Sequence, residues 1–265
     1  MSERLDQVMN RLRSDGRTGV IPYVTVGFPS LEDTMRIVPA LEKAGADVIE
    51  LGVPYSDPLA DGPTIQAASY RALQAGMDSH SCIAAAKQLR AEGVTIPLLF
   101  MGYYNPILTY GIEGYVSDCA DAGIDGLIVP DLPAEESGLL HDELRKHSMA
   151  LIPMLAPTST DERIARVVAG AEGFVYCVSV TGVTGARAVV PVNLAGFIDR
   201  VRAQTTLPIV VGFGVAERAH IEAIGKLADA AAVGSALINV IDSAPPEERA
   251  SRAGAFIAAL RGNGA

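Results

Sequence analysis

Three observations predict that this chain is an α/β protein folded as a (β/α)₈ barrel. Eight short apolar segments alternate with helical ones along the chain, and such alternation implies parallel strands joined by right-handed crossovers. The phrases AGADVIELG, AGIDGLIVPD and LADAAAVGS recur before or within strands, as if one βα unit were used repeatedly. The length of 265 residues accommodates eight such units. The first strand is followed by GFPS rather than the G-x-G-x-x-G of open, doubly wound sheets. No linker or low-complexity stretch interrupts the pattern. Residues 1–265 are therefore expected to form a single domain, with a helix in residues 1–15 closing the barrel bottom.

In chain order, Leu5, Val8, Met9 and Leu12 place one apolar stripe on a helix over Ser2–Arg13. Val20–Val26 reads as a strand ended by Gly27 and Pro29. Ser30 and Asp33 resemble a capping box for a helix over Leu31–Ala44, which Pro39 should kink. Val48–Leu51 is the second strand. The loop after it, rich in Pro and Asp, leads to a helix over Pro63–Ala75, and another follows over Ser79–Glu92. Pro97–Met101 is a strand followed by the loop YYNP, then a helix over Gly111–Ala122. The remaining strands are Gly126–Val129, Leu151–Leu155, Phe174–Val178, Pro208–Val211 and Ala230–Val233. The remaining helices are Pro133–His147, Thr160–Ala169, Val192–Arg202, Ala216–Lys226, one opening at Gly234-Ser235, and Pro245–Leu260.

Composition excludes several classes. The formal net charge of -10 argues against nucleic acid, which demands clustered Lys and Arg. No apolar run is long enough to span a bilayer, and no signal peptide opens the chain. Cys82, Cys119 and Cys177 are far apart without metal spacing, so free thiols in a reducing cytoplasm are expected.

Chemistry in a barrel collects at the C-terminal ends of the strands. Val48–Pro63, VIELGVPYSDPLADGP, is the richest such end. Side chains alternate along a strand, so if Ile49 and Leu51 pack on helices, Glu50 points into the barrel mouth. Asp57 and Asp61 follow in the loop, where turn and capping roles are the competing reading. Asp131, in PDLP, is expected to cap the helix from Pro133. Gly182, Gly185, Gly212, Gly214 and Gly234 crowd the ends of the last three strands. There, close backbone approach, a helix start and the Ser235 hydroxyl suit a phosphate. All four lysines and all four histidines fall in or beside helix patterns. A Schiff-base aldolase and a zinc-dependent one are therefore not expected; carboxylates alone could hold Mg²⁺, but Glu50 and Asp61 need no metal to move protons, and none is expected. General acid–base chemistry by carboxylates on a phosphorylated small molecule is left.

ELGVPYSDPLADGPTIQ, together with SVTGVTGAR, GFGV and VGSA, resembles the α subunit of tryptophan synthase over essentially the whole chain. The pattern ELG-x-P-[FY]-SDP-x-x-DGPTIQ is long and specific. The resemblance implies a TIM barrel that cleaves indole-3-glycerol phosphate to indole and glyceraldehyde 3-phosphate by a retro-aldol lysis without cofactor. It implies that Glu50 moves protons at indole C3 and on the glycerol hydroxyl, and that Asp61 hydrogen-bonds the indole N–H. Tyr176 matches a tyrosine near the glycerol chain. Tyr23, Ile128 and Phe213 match the indole pocket, and Thr184 a loop threonine that closes onto the aspartate. Gly185, Gly214, Gly234 and Ser235 match the phosphate positions. Val180 and Pro106 depart from residues found in some members, Arg and Leu respectively.

The resemblance also implies a β subunit, in an α2β2 complex, that takes the indole and joins it to serine with pyridoxal phosphate, a cofactor this chain does not bind. Pro54, Asp57, Tyr103, Tyr104, Asn105 and Pro133 are the expected contact residues, since paired tyrosines in a loop suit an interface core; packing of Tyr103 and Tyr104 on neighbouring loops is the competing reading. The loops Val53–Asp61 and Val178–Val190, rich in Gly, Pro and small polar residues, are expected to be the least ordered. A stand-alone indole-releasing lyase, another enzyme on a phosphate-binding barrel, and a catalytically silent phosphate-binding barrel acting as sensor or allosteric partner are the alternatives.

Overall fold

The computed structural model describes residues 2–178, 193–212 and 214–262. Helix α1 (Glu3–Ser14) comes first, then strand β1 (Gly19–Thr25) and helix α2 (Leu31–Lys43), with Pro39 inside it. The Ser30 side chain caps α2 by accepting the Asp33 N–H, the bond expected from the sequence. Strand β2 (Ile49–Gly52), helices α3 (Pro63–Gln74) and α4 (Ser79–Ala91), and strand β3 (Leu98–Met101) follow. Next come α5 (Tyr104–Tyr110), α6 (Ile112–Asp121), β4 (Gly126–Ile128), α7 (Gly138–Lys146), β5 (Ala150–Ile152) and β6 (Met154–Leu155). The rest are α8 (Asp161–Val168), β7 (Val175–Val178), α9 (Leu194–Arg202), β8 (Ile209–Gly212), α10 (Arg218–Gly225), β9 (Ala230–Val233), α11 (Ser235–Ser243) and α12 (Arg249–Arg261).

The described strands pair in parallel in the order β5-β4-β3-β2-β1-β9-β8-β7-β6. The two edge strands, β5 and β6, are consecutive in the chain and separated only by Pro153. The sheet is thus a nearly closed barrel whose two edges meet in one stretch of backbone. The sequence suggested a single strand, Leu151–Leu155, and eight strands in all. Pro153 lacks an N–H and splits that strand, so its first part pairs with β4 and its second with β7. The Pro153 carbonyl still accepts the Tyr176 N–H at 2.9 Å.

Three other boundaries differ from expectation. YYNP is not a loop: Tyr104 opens α5, and the carboxylate of Asp131 accepts its N–H at 3.0 Å. Asp131 therefore caps a neighbouring helix, not the one after it, because the ends of β3 and β4 lie side by side. Pro133–His147 is not one helix but a 3₁₀ turn, Ala134–Glu136, then α7. The last helix likewise begins with a 3₁₀ turn, Pro246–Glu248, before α12.

Alternation along the strands makes two cores. Ile49, Leu51, Leu98, Phe100 and Leu127 face the helices, while Ile21, Val48, Leu99, Ile128, Phe174 and Val210 face inward. The α1 stripe Leu5, Val8, Met9 and Leu12 joins the inward core. Arg4 and Arg13 bind Asp125 and Asp229, which sit just before β4 and β9, so α1 spans the N-terminal ends of the strands.

The recurring phrases acquire a physical role here. Each contains an aspartate one or two residues before a strand start, and each aspartate accepts an N–H from the neighbouring strand: Asp47 from Val20 at 2.9 Å, Asp125 from Leu98 at 2.9 Å and Asp229 from Ile209 at 2.7 Å. Arginines complete each cluster: Arg17 and Arg261 on Asp47, Arg4 and Arg90 on Asp125, Arg13 and Arg202 on Asp229. A buried carboxylate that gathers this many donors is satisfied, and it sets the register of the strands it joins.

Candidate active site

Glu50 lies within β2 and points inward, as alternation required, while Ile49 and Leu51 pack outward. Its partner in register is Tyr23 of β1 on one side and Leu99 of β3 on the other. The residue is 1% exposed, and its Oε1 has no hydrogen-bond partner among the described residues. An unpartnered carboxylate in an apolar setting resists ionisation, and burial pushes the Glu50 carboxyl up to about 8.

Two tyrosines are within electrostatic reach of Glu50, and each depends on a strand-end glycine. A Cβ on Gly52 would lie 2.0 Å from the Tyr23 hydroxyl, and one on Gly212 would lie 2.6 Å from the Tyr176 ring. Both tyrosine rings occupy space that any larger residue would fill. Burial, joined by the charges of Asp61 and Glu50, raises the pKa of both phenols, so both stay protonated. Thr25 donates to the Tyr23 hydroxyl at 3.3 Å. Ile128 is fully buried in the inward core beside Leu99 and Tyr176.

Asp61 is half-buried in the loop between β2 and α3. Burial raises its carboxyl to about 6, against the opposing effect of the Tyr103 hydroxyl as hydrogen-bond donor. The loop has its own fastenings. Ser69 Oγ bonds the backbone N–H and C=O of Tyr55, Gln66 donates to the carbonyls of Pro58 and Asp61, and Ala60 N–H donates to the Tyr103 hydroxyl.

At the other side of the mouth, Gly234 is the N-cap of α11 and Ser235 its first residue, with no side chain capping the helix among the described residues. The opening amides of α11 are therefore available to an anion, and the dipole of the helix favours one. Gly234 lies over Tyr23 and Ile65, which ties this end to the carboxylate pocket. Gly214 is partly exposed after β8. Thr184, Gly185 and Phe213, with Val180 and most of the expected mobile loop Val178–Val190, lie outside the described residues.

The expected partner residues divide. Asp57 and Asn105 are exposed, and Tyr104 and Pro133 are partly exposed. Pro54 and Tyr103 are buried in the chain itself, so they cannot present their side chains to solvent. For Tyr103 the structure favours the competing reading, packing on a neighbouring loop, over an interface role. Its ring stacks on Tyr55, with centroids 5.1 Å apart, and its hydroxyl turns to Asp61. Three large apolar side chains near these residues in sequence are exposed: Leu59 in the loop after β2 at 93%, Leu108 in α5 at 50% and Leu139 in α7 at 75%. Among the described residues, no group of three or more His, Cys, Asp or Glu could hold a metal, and no helix is long and apolar enough to cross a membrane.

Comparison with known proteins shows the family and agrees with the fold. The family model described as tryptophan synthase alpha chain matches residues 9–260. The tryptophan synthase alpha chain of Roseiflexus sp. (strain RS-1) is 52% identical over 259 residues, covering 98% of this chain and 99% of the relative. That of Chloroflexus aggregans is 52% identical over 257 residues, covering 97% and 96%. Among solved structures, tryptophan synthase of Mycobacterium tuberculosis superimposes with a TM-score of 0.90 at 36% identity, covering 99% of this chain and 98% of that one. The alpha subunit of Legionella pneumophila str. Paris gives 0.91 at 34%, with the same coverage.

Proposed function

The chain belongs to the tryptophan synthase alpha chain family, whose reaction is the cleavage of indole-3-glycerol phosphate, and from that premise we propose which of its residues perform the lysis. The chain is a carbon–carbon lyase. The observation that carries the assignment is Glu50: a carboxyl buried in the barrel mouth with one oxygen unpartnered, between Tyr23 and Leu99. Such a group stays protonated at neutral pH and can give its proton to indole C3. The resulting carboxylate then takes the proton of the adjacent glycerol hydroxyl. As that O–H electron pair becomes the aldehyde C=O, the C–C bond breaks and its electrons return to the ring, releasing indole. Glu50 ends the cycle protonated, as it began.

Asp61 supports the first step. Ionised above about pH 6, it accepts the indole N–H and stabilises the positive charge that C3 protonation puts on the ring. Between about 6 and about 8 the two carboxyls hold opposite protonation states, which is the division of labour the reaction needs. Tyr23 and Ile128 are assigned to the indole and Tyr176 to the glycerol chain, while Phe213 and Thr184 keep the indole-binding and loop roles that the resemblance implies. Gly185, Gly214, Gly234 and Ser235 hold the phosphate, so that binding energy far from the reacting bond holds the indole end in place. No cofactor or metal enters the lysis.

We further propose that the chain works in an α2β2 complex with a β subunit, as a single domain over residues 1–265, in the cytoplasm. Indole is small and apolar, and direct transfer avoids its loss to solvent. Asp57, Tyr104, Asn105 and Pro133 remain the proposed contact residues, and the exposed Leu59, Leu108 and Leu139 lie near them in sequence. The buried, unpaired thiols Cys82, Cys119 and Cys177 fit a reducing compartment.

Two experiments test these readings. Glu50→Gln should lower indole release by at least ~100-fold with the fold intact; activity within a few-fold of wild type removes Glu50 from the mechanism. Mixing with a β subunit should raise the cleavage rate and yield a complex on gel filtration at micromolar concentration. No complex and no stimulation would leave a stand-alone lyase.

A further inference from the structure

Tyr103 is held more tightly than a side chain at a partner surface needs to be. It ends β3's connection to α5 and is 5% exposed. Its ring stacks on Tyr55 at 5.1 Å with 30° between planes. Tyr55 is itself fixed, since Ser69 Oγ accepts from its N–H at 2.9 Å and donates to its C=O at 3.2 Å. The Tyr103 hydroxyl oxygen accepts the Ala60 N–H at 3.0 Å. With that N–H on its oxygen, the phenol has its own proton to direct elsewhere, and the next residue along the loop is Asp61.

We propose that Tyr103 is the positioning residue of Asp61: one hydroxyl, pinned by Ala60 and an aromatic stack, holds the loop carboxylate in place. The proposal rests on the reading of Asp61 given above. The physical logic is that Asp61 lies on a loop, where no strand or helix fixes its position. A buried carboxylate on a loop loses its charge and its geometry together unless a donor holds both. Tyr103 opposes the burial that raises Asp61, and Asp61 in return helps to keep the phenol protonated. The clamp joins two consecutive βα connections, after β2 and after β3, at the point where the chemistry requires them to agree.

The test is Tyr103→Phe, which keeps the stack and deletes the hydroxyl. The titration of Asp61 is followed by carboxyl-carbon NMR, with Asp61→Asn identifying the resonance. The midpoint should rise by roughly one to two units, the worth of one hydrogen bond to a charged carboxylate. The acid limb of kcat/KM should move upward by the same amount, and kcat at pH 7 should fall ~10-fold with KM within threefold. A fluorinated tyrosine at position 103, a stronger donor of the same shape, should move the midpoint the other way, and it gives an answer if the Phe variant does not fold. A midpoint that stays put in whichever variants fold overturns the proposal, as does lost activity with an unmoved acid limb. Should Asp61→Asn itself retain full indole release, the role of Asp61 in the reaction fails, while the NMR titration still decides whether Tyr103 holds it.

Discussion

Glu50→Gln should inactivate the protein and stabilise it, and the stabilisation should depend on pH. Glu50 is buried without a partner on Oε1, and its carboxyl is raised from 4.5 to about 8. In the unfolded chain it ionises near its ordinary value. Between those two values the folded state binds the extra proton, so stability falls as pH rises through the window. The full shift corresponds to about 5 kcal/mol at roughly 1.4 kcal/mol per unit, of which about 4 kcal/mol falls between pH 5 and pH 9. Gln keeps the shape, stays neutral at every pH and has no such loss. Urea unfolding of wild type and Glu50→Gln at pH 5 and pH 9 gives four free energies. The gap between the variants should be small at pH 5 and larger by about 4 kcal/mol in favour of Gln at pH 9. In a chain of this size that is on the order of 8 °C in Tm. Asp61 and the other titrating groups are common to both proteins and cancel. A gap that is the same at both pH values, or a Gln variant less stable at pH 9, would refute the claim that Glu50 is held protonated by burial.

Other outcomes follow from the same geometry. The pH profile of kcat/KM for indole release should be a bell, with an acid limb near 6 from Asp61 and an alkaline limb near 8 from Glu50, and Asp61→Asn should abolish the acid limb. Gly212→Ala places a methyl 2.6 Å from the Tyr176 ring and must displace it; steady-state assay should show ~10-fold or greater loss of kcat/KM, with Tm lower by only a few degrees. Gly234→Val should raise KM for the phosphorylated substrate, whereas Gly234→Ala, whose Cβ meets nothing closer than 3.5 Å, should fold normally; KM measured for both separates crowding of the anion from damage to the fold. Asp125→Ala removes the acceptor shared by Ser2, Arg4, Arg90 and the Leu98 N–H and strands a largely buried arginine; denaturant unfolding should show a loss of about 3 kcal/mol or more.

The sequence by itself determined the barrel, because its evidence is local and repeated. Two-residue periodicity in VIEL put Glu50 opposite Ile49 and Leu51, and glycines and prolines marked most strand ends within a residue or two. The length and spacing of ELGVPYSDPLADGPTIQ carried the family and the two carboxylates. Local patterns went wrong where the deciding contact came from another element. Asp131 looked like a cap for its own helix but serves Tyr104, 27 residues earlier, because parallel pairing sets the ends of β3 and β4 side by side. Pro153 looked like an ordinary strand residue, and only closure of the sheet gave its two flanks different neighbours. The repeated aspartates were visible as a phrase, yet their work at the strand starts depends on arginines as distant as Arg261. Tyr103 shows the limit most clearly. Its neighbours in sequence left interface and packing both open, and the contacts that decide, Tyr55, Ala60 and Asp61, come from the preceding connection. Which side chains meet across adjacent βα loops is fixed by strand order and register, long-range quantities that no single segment encodes.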